Sequence, residues 1–121
     1  MQIQFDNNIP IYIQLVQQLE IYIISGKIQP GERLLSVRDL ALQFRVNPNT
    51  MQKALVSLEE KGLVFTERTN GKFVTEDREL IDKYKKEYAD ELSKKFFSSM
   101  EEIGYTKSSA IEYLSLMGGK E

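Results

Sequence analysis

Between Ser36 and Val64 the chain reads SVRDLALQFRVNPNTMQKALVSLEEKGLV, and this stretch admits few folds. Val37, Leu40, Ala41 and Phe44 recur at helical spacing, with Ser36 as a helix cap and Asp39 three residues on as a weak capping box. Arg45 and Val46 are left for a turn, Val46 pointing inward. Asn47 then caps a second helix, and Pro48 occupies its first position, where the missing N–H is not needed. Met51, Ala54, Leu55 and Leu58 form the apolar face of that helix, while Asn49, Thr50, Gln52 and Lys53 fall largely off it. Two short helices joined so tightly make a helix-turn-helix.

The flanks extend the pattern. Pro10 suits a first helical turn, and Tyr12, Leu15, Val16, Leu19 and Ile23 form one stripe ending at Ser25-Gly26. Pro30-Gly31 marks a turn, anchored on either side by Ile28 and Leu34. After Gly62, Leu63 to Glu67 alternates like a strand, Phe73 to Thr75 can return antiparallel to it, and Asn70-Gly71 signals a hairpin tip over Arg68 to Lys72. A helix-turn-helix followed at once by a hairpin is a winged helix. The start up to Ile9 reads as extended.

From about Asp77 the character changes. Ile81, Tyr84, Tyr88, Leu92, Phe96, Met100 and Ile103 step by three or four along one long helix, which Gly104 breaks. Thr106 can cap a last short helix carrying Ala110, Ile111, Leu114 and Met117, and the final Gly-Gly-Lys-Glu reads as frayed. The expected fold is therefore mainly α with a small β-hairpin. Residues 1–75 form a winged helix-turn-helix domain, and residues 76–121 a C-terminal helical region.

Composition narrows the chemistry. The chain has no cysteine and no histidine, which excludes disulfides, thiolate zinc sites, catalytic triads and Cys-His pairs. No Gly-rich phosphate loop is present. We expect no enzyme, no catalytic residue, no metal and no cofactor. No apolar run approaches the ~20 residues of a membrane span, and MQIQFDNNIP lacks the basic start and apolar core of a signal peptide. A cytoplasmic location is the expectation.

The net charge of -2 looks wrong for a nucleic-acid partner. It is unevenly divided: residues 1–75 hold eight Lys/Arg against seven Asp/Glu, and residues 76–121 hold eight against eleven. The first part is mildly basic, so the direction of its charges matters more than their total. Duplex recognition needs cations and hydroxyls for phosphates, and amides or guanidiniums for base edges. Asn49, Thr50 and Gln52 offer hydrogen bonds and Lys53 offers charge at one helix N-terminus. Arg38 and Arg45 can grip the backbone on either side, and Arg68 and Lys72 lie near the hairpin tip. Capping alone accounts for Asn47. Singly, each surface cation reads as solvated; together they fall where one docking geometry uses them.

At these residues the chain resembles GntR-family bacterial transcription regulators, over about residues 9–75. IPIYIQLVQQLEIYIISGKIQPGERLLSVRDLALQFRVNPNTMQKALVSLEEKGLV and the wing RTNGKFV carry the match. VNPNT with a short tail after the wing is similar to the YtrA subfamily. The resemblance implies phosphate or base contact at Arg38, a place for Asn49, Thr50, Gln52 and Lys53 at the start of the recognition helix, and close backbone approach of Gly71 to the minor groove. There are departures. Leu35 stands where a proline is common, Pro48 and Gln52 stand where many members have arginines, and Thr69 replaces a frequent glycine. In the wing the basic residue falls at Lys72 instead of position 70.

The resemblance further implies that the C-terminal helices make a homodimer. The sequence agrees independently, because Tyr84, Tyr88, Leu92, Phe96 and Phe97 would expose a large aromatic patch on a monomer. The expected interface is Tyr84, Tyr88, Leu92, Phe96, Met100 and Leu114. The long helix folding back on its own winged domain is the alternative.

The expected protein is a DNA-binding regulator, a repressor acting as a homodimer on a palindromic operator in double-stranded DNA. Two other classes stay open. One is a protein-interaction module on a winged-helix scaffold; the other is a switch with an effector site at the dimer interface, lined by Tyr84, Tyr88 or Tyr113. The sequence does not name an effector.

Overall fold

The computed structural model describes residues 3–118. In chain order it holds α1 (Ile11–Ile24), α2 (Val37–Phe44), α3 (Pro48–Glu60), β1 (Val64–Glu67), β2 (Gly71–Val74), α4 (Arg78–Glu102) and α5 (Lys107–Gly118). The chain is mainly helical with one small antiparallel hairpin, as its patterning predicts. It divides into two compact units, residues 1–84 and 85–121.

Local chemistry sets the helix ends of the first unit. Ser36 Oγ accepts from the Asp39 N–H at 3.1 Å and opens α2. Asn47 Oδ1 accepts from the Asn49 N–H at 2.8 Å, with Pro48 at the first position of α3. No side chain caps α1 at Pro10. Instead the Gln14 amide reaches back, donating to the Asp6 and Ile9 carbonyls and accepting from the Asp6 N–H. Three helices then pack one core. Leu15 and Leu19 of α1, Leu40 of α2 and Met51, Leu55 and Leu58 of α3 are fully enclosed, with Leu63 and Val74 sealing it from the hairpin. Val46 packs inward from the turn, and Ile28 and Leu34 are buried anchors.

One charged group lies inside this unit. Glu20 is buried, and Lys61, the residue that ends α3, donates to its Oε1 at 2.5 Å. Such a pair does little for net stability.

The hairpin forms where the patterning places it, with a tip shorter than the Arg68 to Lys72 expected. A two-residue Asn-Gly turn of type I′ needs positive φ at both positions. Here only Gly71 is left-handed, at φ +99°, and Asn70 is not. The strands pair Val64 with Val74, Phe65 with Phe73, Thr66 with Lys72 and Glu67 with Gly71, leaving a three-residue tip, Arg68 to Asn70. The ladder also has a third member that the sequence does not announce. Arg33 bridges antiparallel to Phe73, the Leu34 N–H donates to the Lys72 carbonyl, and the Val74 N–H donates to the Glu32 carbonyl. The segment after the Pro30-Gly31 turn is thus a short strand on the free edge of β2.

Helix α4 opens with Asp77 Oδ1 accepting from the Leu80 N–H. Its first turns belong to the first unit: Ile81 is buried, Leu80 and Tyr84 pack against the core, and the Tyr84 hydroxyl lies 3.5 Å from the Lys61 carbonyl.

In the second unit, Gly104 at φ +101° ends the helix, and Thr106 and Ser109 cap α5 reciprocally through their side chains and backbone N–H groups. Ala110 is fully buried, Phe96 meets Phe97 edge-on, and Tyr105 meets Tyr113 edge-on. Lys107 lies 5.3 Å from the Phe97 ring centroid. Gly118 is still helical, against the frayed end expected there; residues 119–121, like residues 1–2 at the extended start, lie outside the described residues.

Candidate nucleic-acid interface

Helix α3 turns Met51, Ala54, Leu55 and Leu58 into the core, and the helical period therefore aims the rest of its first two turns outward. Asn49, Gln52 and Lys53 are exposed and Thr50 is half-buried. Ile11 and Tyr12 of α1 stand beside them, and with Asn49, Thr50 and Lys53 they line a shallow open hollow. The Lys53 ammonium lies 3.9 Å from the centroid of the Tyr12 ring. By spacing Tyr12 belongs to the core stripe of α1; its place beside Lys53 depends on how α1 packs against α3, which spacing alone does not show.

The cations around α3 differ in how free they are. Among the described residues two ion pairs form within 4.0 Å, Lys61 with Glu20 and Lys72 with Glu59. Arg38, Arg45 and Arg68 are exposed and have no carboxylate partner among the described residues. Arg45 closes α2 in the left-handed region at φ 56°, and no other described non-glycine residue has positive φ.

Lys72 is in a different position. Its ammonium is 2.5 Å from Glu59 Oε1 on α3 and 2.8 Å from Thr66 Oγ1, and the Thr66 hydroxyl donates to the same Glu59 oxygen. Burial pushes the Glu59 carboxyl up, but hydrogen bonds from Lys72 and Thr66 and the Lys72 charge outweigh it, holding Glu59 below its usual 4.5. The wing lysine therefore fastens the hairpin to α3. Gly71 is exposed at the tip, and its open side is occupied by the Arg33 guanidinium. Sequence reasoning missed Arg33 as well as Glu59, because both depend on pairings across the fold.

The described residues contain no group of three or more carboxylate, imidazole or thiol side chains able to hold a metal, and no described helix is long and apolar enough to cross a membrane. What the geometry presents is a capped helix with exposed amides, flanked by unpaired guanidiniums and a hairpin. That defines a winged helix-turn-helix, the DNA-binding unit of transcription regulators.

The family is shown by comparison. Residues 11–74 match the model of the bacterial regulatory proteins, gntR family. The chain is 37% identical over 109 residues to the uncharacterized HTH-type transcriptional regulator YhcF of Bacillus subtilis (strain 168), covering 90% of each. It is 40% identical over 77 residues to the HTH-type transcriptional repressor YtrA of the same organism, covering 62% of this chain and 59% of YtrA. Among solved structures it is similar to a GntR family transcriptional regulator from Listeria monocytogenes, with a TM-score of 0.83, 38% identity, and coverage of 92% and 97% of the two chains. The DNA-binding domain of AraR in complex with operator ORX1 aligns with a TM-score of 0.56 and 26% identity, over 62% of this chain and 95% of that one. The protein belongs to the GntR family of bacterial transcription regulators, with a YtrA-like relative.

Proposed function

We propose that the protein is a sequence-specific repressor that binds a palindromic operator in cytoplasmic DNA as a homodimer. The observation that carries this reading is the outward end of α3. Asn49, Gln52 and Lys53 are exposed there, and a core helix has no use for three polar side chains on one end. Asn and Gln are the side chains that pair bidentately with adenine in a major groove, and Lys53 supplies charge. Arg38, Arg45 and Arg68 have no carboxylate partner among the described residues and are available to phosphates. One wing and one helix make a modest interface for a unit so close to neutral, so two copies acting together account better for useful affinity. The YtrA relative is named a repressor, and the AraR domain was solved on an operator.

The second unit supports the pairing of copies. Leu92 of α4, Ile103 just after it, and Ile111, Leu114, Leu116 and Met117 of α5 are all exposed large apolar residues. Monomeric proteins rarely leave such a set in water. Of the expected interface, Leu92 and Leu114 are exposed, Tyr88, Phe96 and Met100 are half-buried, and Tyr84 packs against the winged core.

Selection of bound sites from random duplex DNA tests the reading as a whole. The expected product is an inverted repeat with half-sites about 34–36 Å apart, one helical turn. Recovery of no enriched sequence, with no duplex binding at low salt, overturns it.

A further inference from the structure

The sequence places Arg68 and Lys72 at the wing for DNA, yet Lys72 is held by Glu59 and Thr66 inside the hairpin–α3 junction. A phosphate contact by Lys72 must first break that pair. Another cation lies at the same place. The short strand through residues 32–34 runs along β2 and brings Arg33 level with Phe73. Its guanidinium then lies over Gly71, such that a Cβ at Gly71 would sit 3.4 Å from Arg33 Nε and 3.6 Å from Nη2. Gly71 turns the chain at the end of the hairpin through its left-handed φ, and the arginine lies at ordinary contact distance beside it.

Arg33 is exposed, donates no hydrogen bond and has no carboxylate within 4.0 Å among the described residues. A guanidinium carries five N–H donors in a fixed fork that matches phosphate geometry. Laid against a glycine backbone instead of waving in water, it loses less side-chain freedom when it meets an anion. We propose that Arg33, and not Lys72, holds a backbone phosphate of the bound duplex at the wing, beside the tip's own Arg68. The assignment rests on the DNA-binding reading above and adds a residue to it.

The test is DNA binding by the full chain at several salt concentrations, on a site recovered by selection with the wild-type protein. Each phosphate contact contributes about -0.9 to the slope of log K against log salt. Arg33→Ala should weaken binding roughly tenfold per bound chain and flatten the slope by about one per chain, equally on different sites. Arg33→Lys should restore the slope but only part of the affinity. Lys72→Gln should leave the slope unchanged while lowering the melting temperature. An unchanged slope in Arg33→Ala overturns the assignment, as does a flattened slope in Lys72→Gln. Loss confined to particular sequences overturns phosphate in favour of base reading. Wild-type protein that binds no duplex fails the proposed function instead, so the two failures are distinct. If Lys72→Gln does not fold, the Arg33 variants still decide.

Discussion

The Lys53 ammonium sits 3.9 Å from the Tyr12 ring centroid, so the first helix holds the side chain that the recognition helix offers to DNA. A cation over an aromatic face gains about 0.5–1 kcal/mol at an exposed site. That is enough to favour one rotamer of a long, mobile side chain, and too little to prevent its transfer to a phosphate. Removing the ring and removing the charge should therefore differ. Tyr12→Leu should weaken operator binding by only a few-fold and leave its salt dependence intact, since Lys53 keeps its charge. Lys53→Ala should flatten the salt slope by about one per chain. Anisotropy titrations across a salt series separate the two; equal slopes for both variants would remove Lys53 from the phosphate contacts.

The Glu59–Lys72–Thr66 cluster predicts a pH dependence of stability. Glu59 titrates below its usual 4.5 in the folded protein. A depressed carboxylate stabilises the fold above its unfolded value, and this contribution is lost as pH falls through the lower folded value. The side chains are partly exposed, 16% for Lys72 and 30% for Glu59, so the pair is worth only about 0.2–1 kcal/mol. Glu59→Gln should lower the melting temperature by a few degrees at pH 7. The gap between variant and wild type should shrink below about pH 4. A gap of the same size at pH 7 and pH 3 would mean that packing, not charge, explains the effect.

These two contacts show where the sequence stops being legible. The helices of the first unit can be read because their signals are local: an apolar face every three or four residues, Ser36 and Asn47 as caps, Pro48 as a first residue. The outward end of α3 follows from the same period. The wing is different. Asn70-Gly71 marks the hairpin, but the bridge from Arg33 to Phe73 of β2 joins residues forty apart in the chain, and no local pattern shows it. Lys72 reads as a free cation until Glu59 is brought beside it, and Arg33 reads as part of a surface turn until Gly71 is. Charge is visible in a sequence; whether a charge is already paired is a property of the fold.

Arg45 sets stability against binding. It ends α2 at φ 56°, where an L side chain costs about 1–2 kcal/mol relative to the right-handed region and glycine pays no such strain. Its backbone N–H still closes the helix on the Ala41 and Leu42 carbonyls, so the turn does not need the side chain. Arg45→Gly should leave stability unchanged or raise it by up to about 1 kcal/mol, the relieved strain being partly offset by the greater freedom of an unfolded glycine. The same variant should lose affinity for DNA and flatten its salt dependence. Denaturant unfolding and DNA titration on one preparation check both halves. A variant that is no less able to bind would leave the strained arginine without a function.

Leu114 and Leu92 test the pairing of two copies. Leu114 is 44% exposed and Leu92 66% exposed in the single chain, so an aspartate at either position buries no charge in a monomer. In a dimer that covers these residues, it would place an unpaired carboxylate in an apolar interface, at a penalty of several kcal/mol. Leu114→Asp should therefore sediment as a monomer while keeping the helical circular dichroism of the wild type. Separating the two reading heads removes the advantage of linked half-sites, which is worth about 10²–10⁴ in affinity. Binding to a full inverted repeat should fall by that order, and binding to an isolated half-site should hardly change. A Leu114→Asp protein that remains dimeric, with Leu92→Asp behaving the same way, would place the contact between copies on another surface.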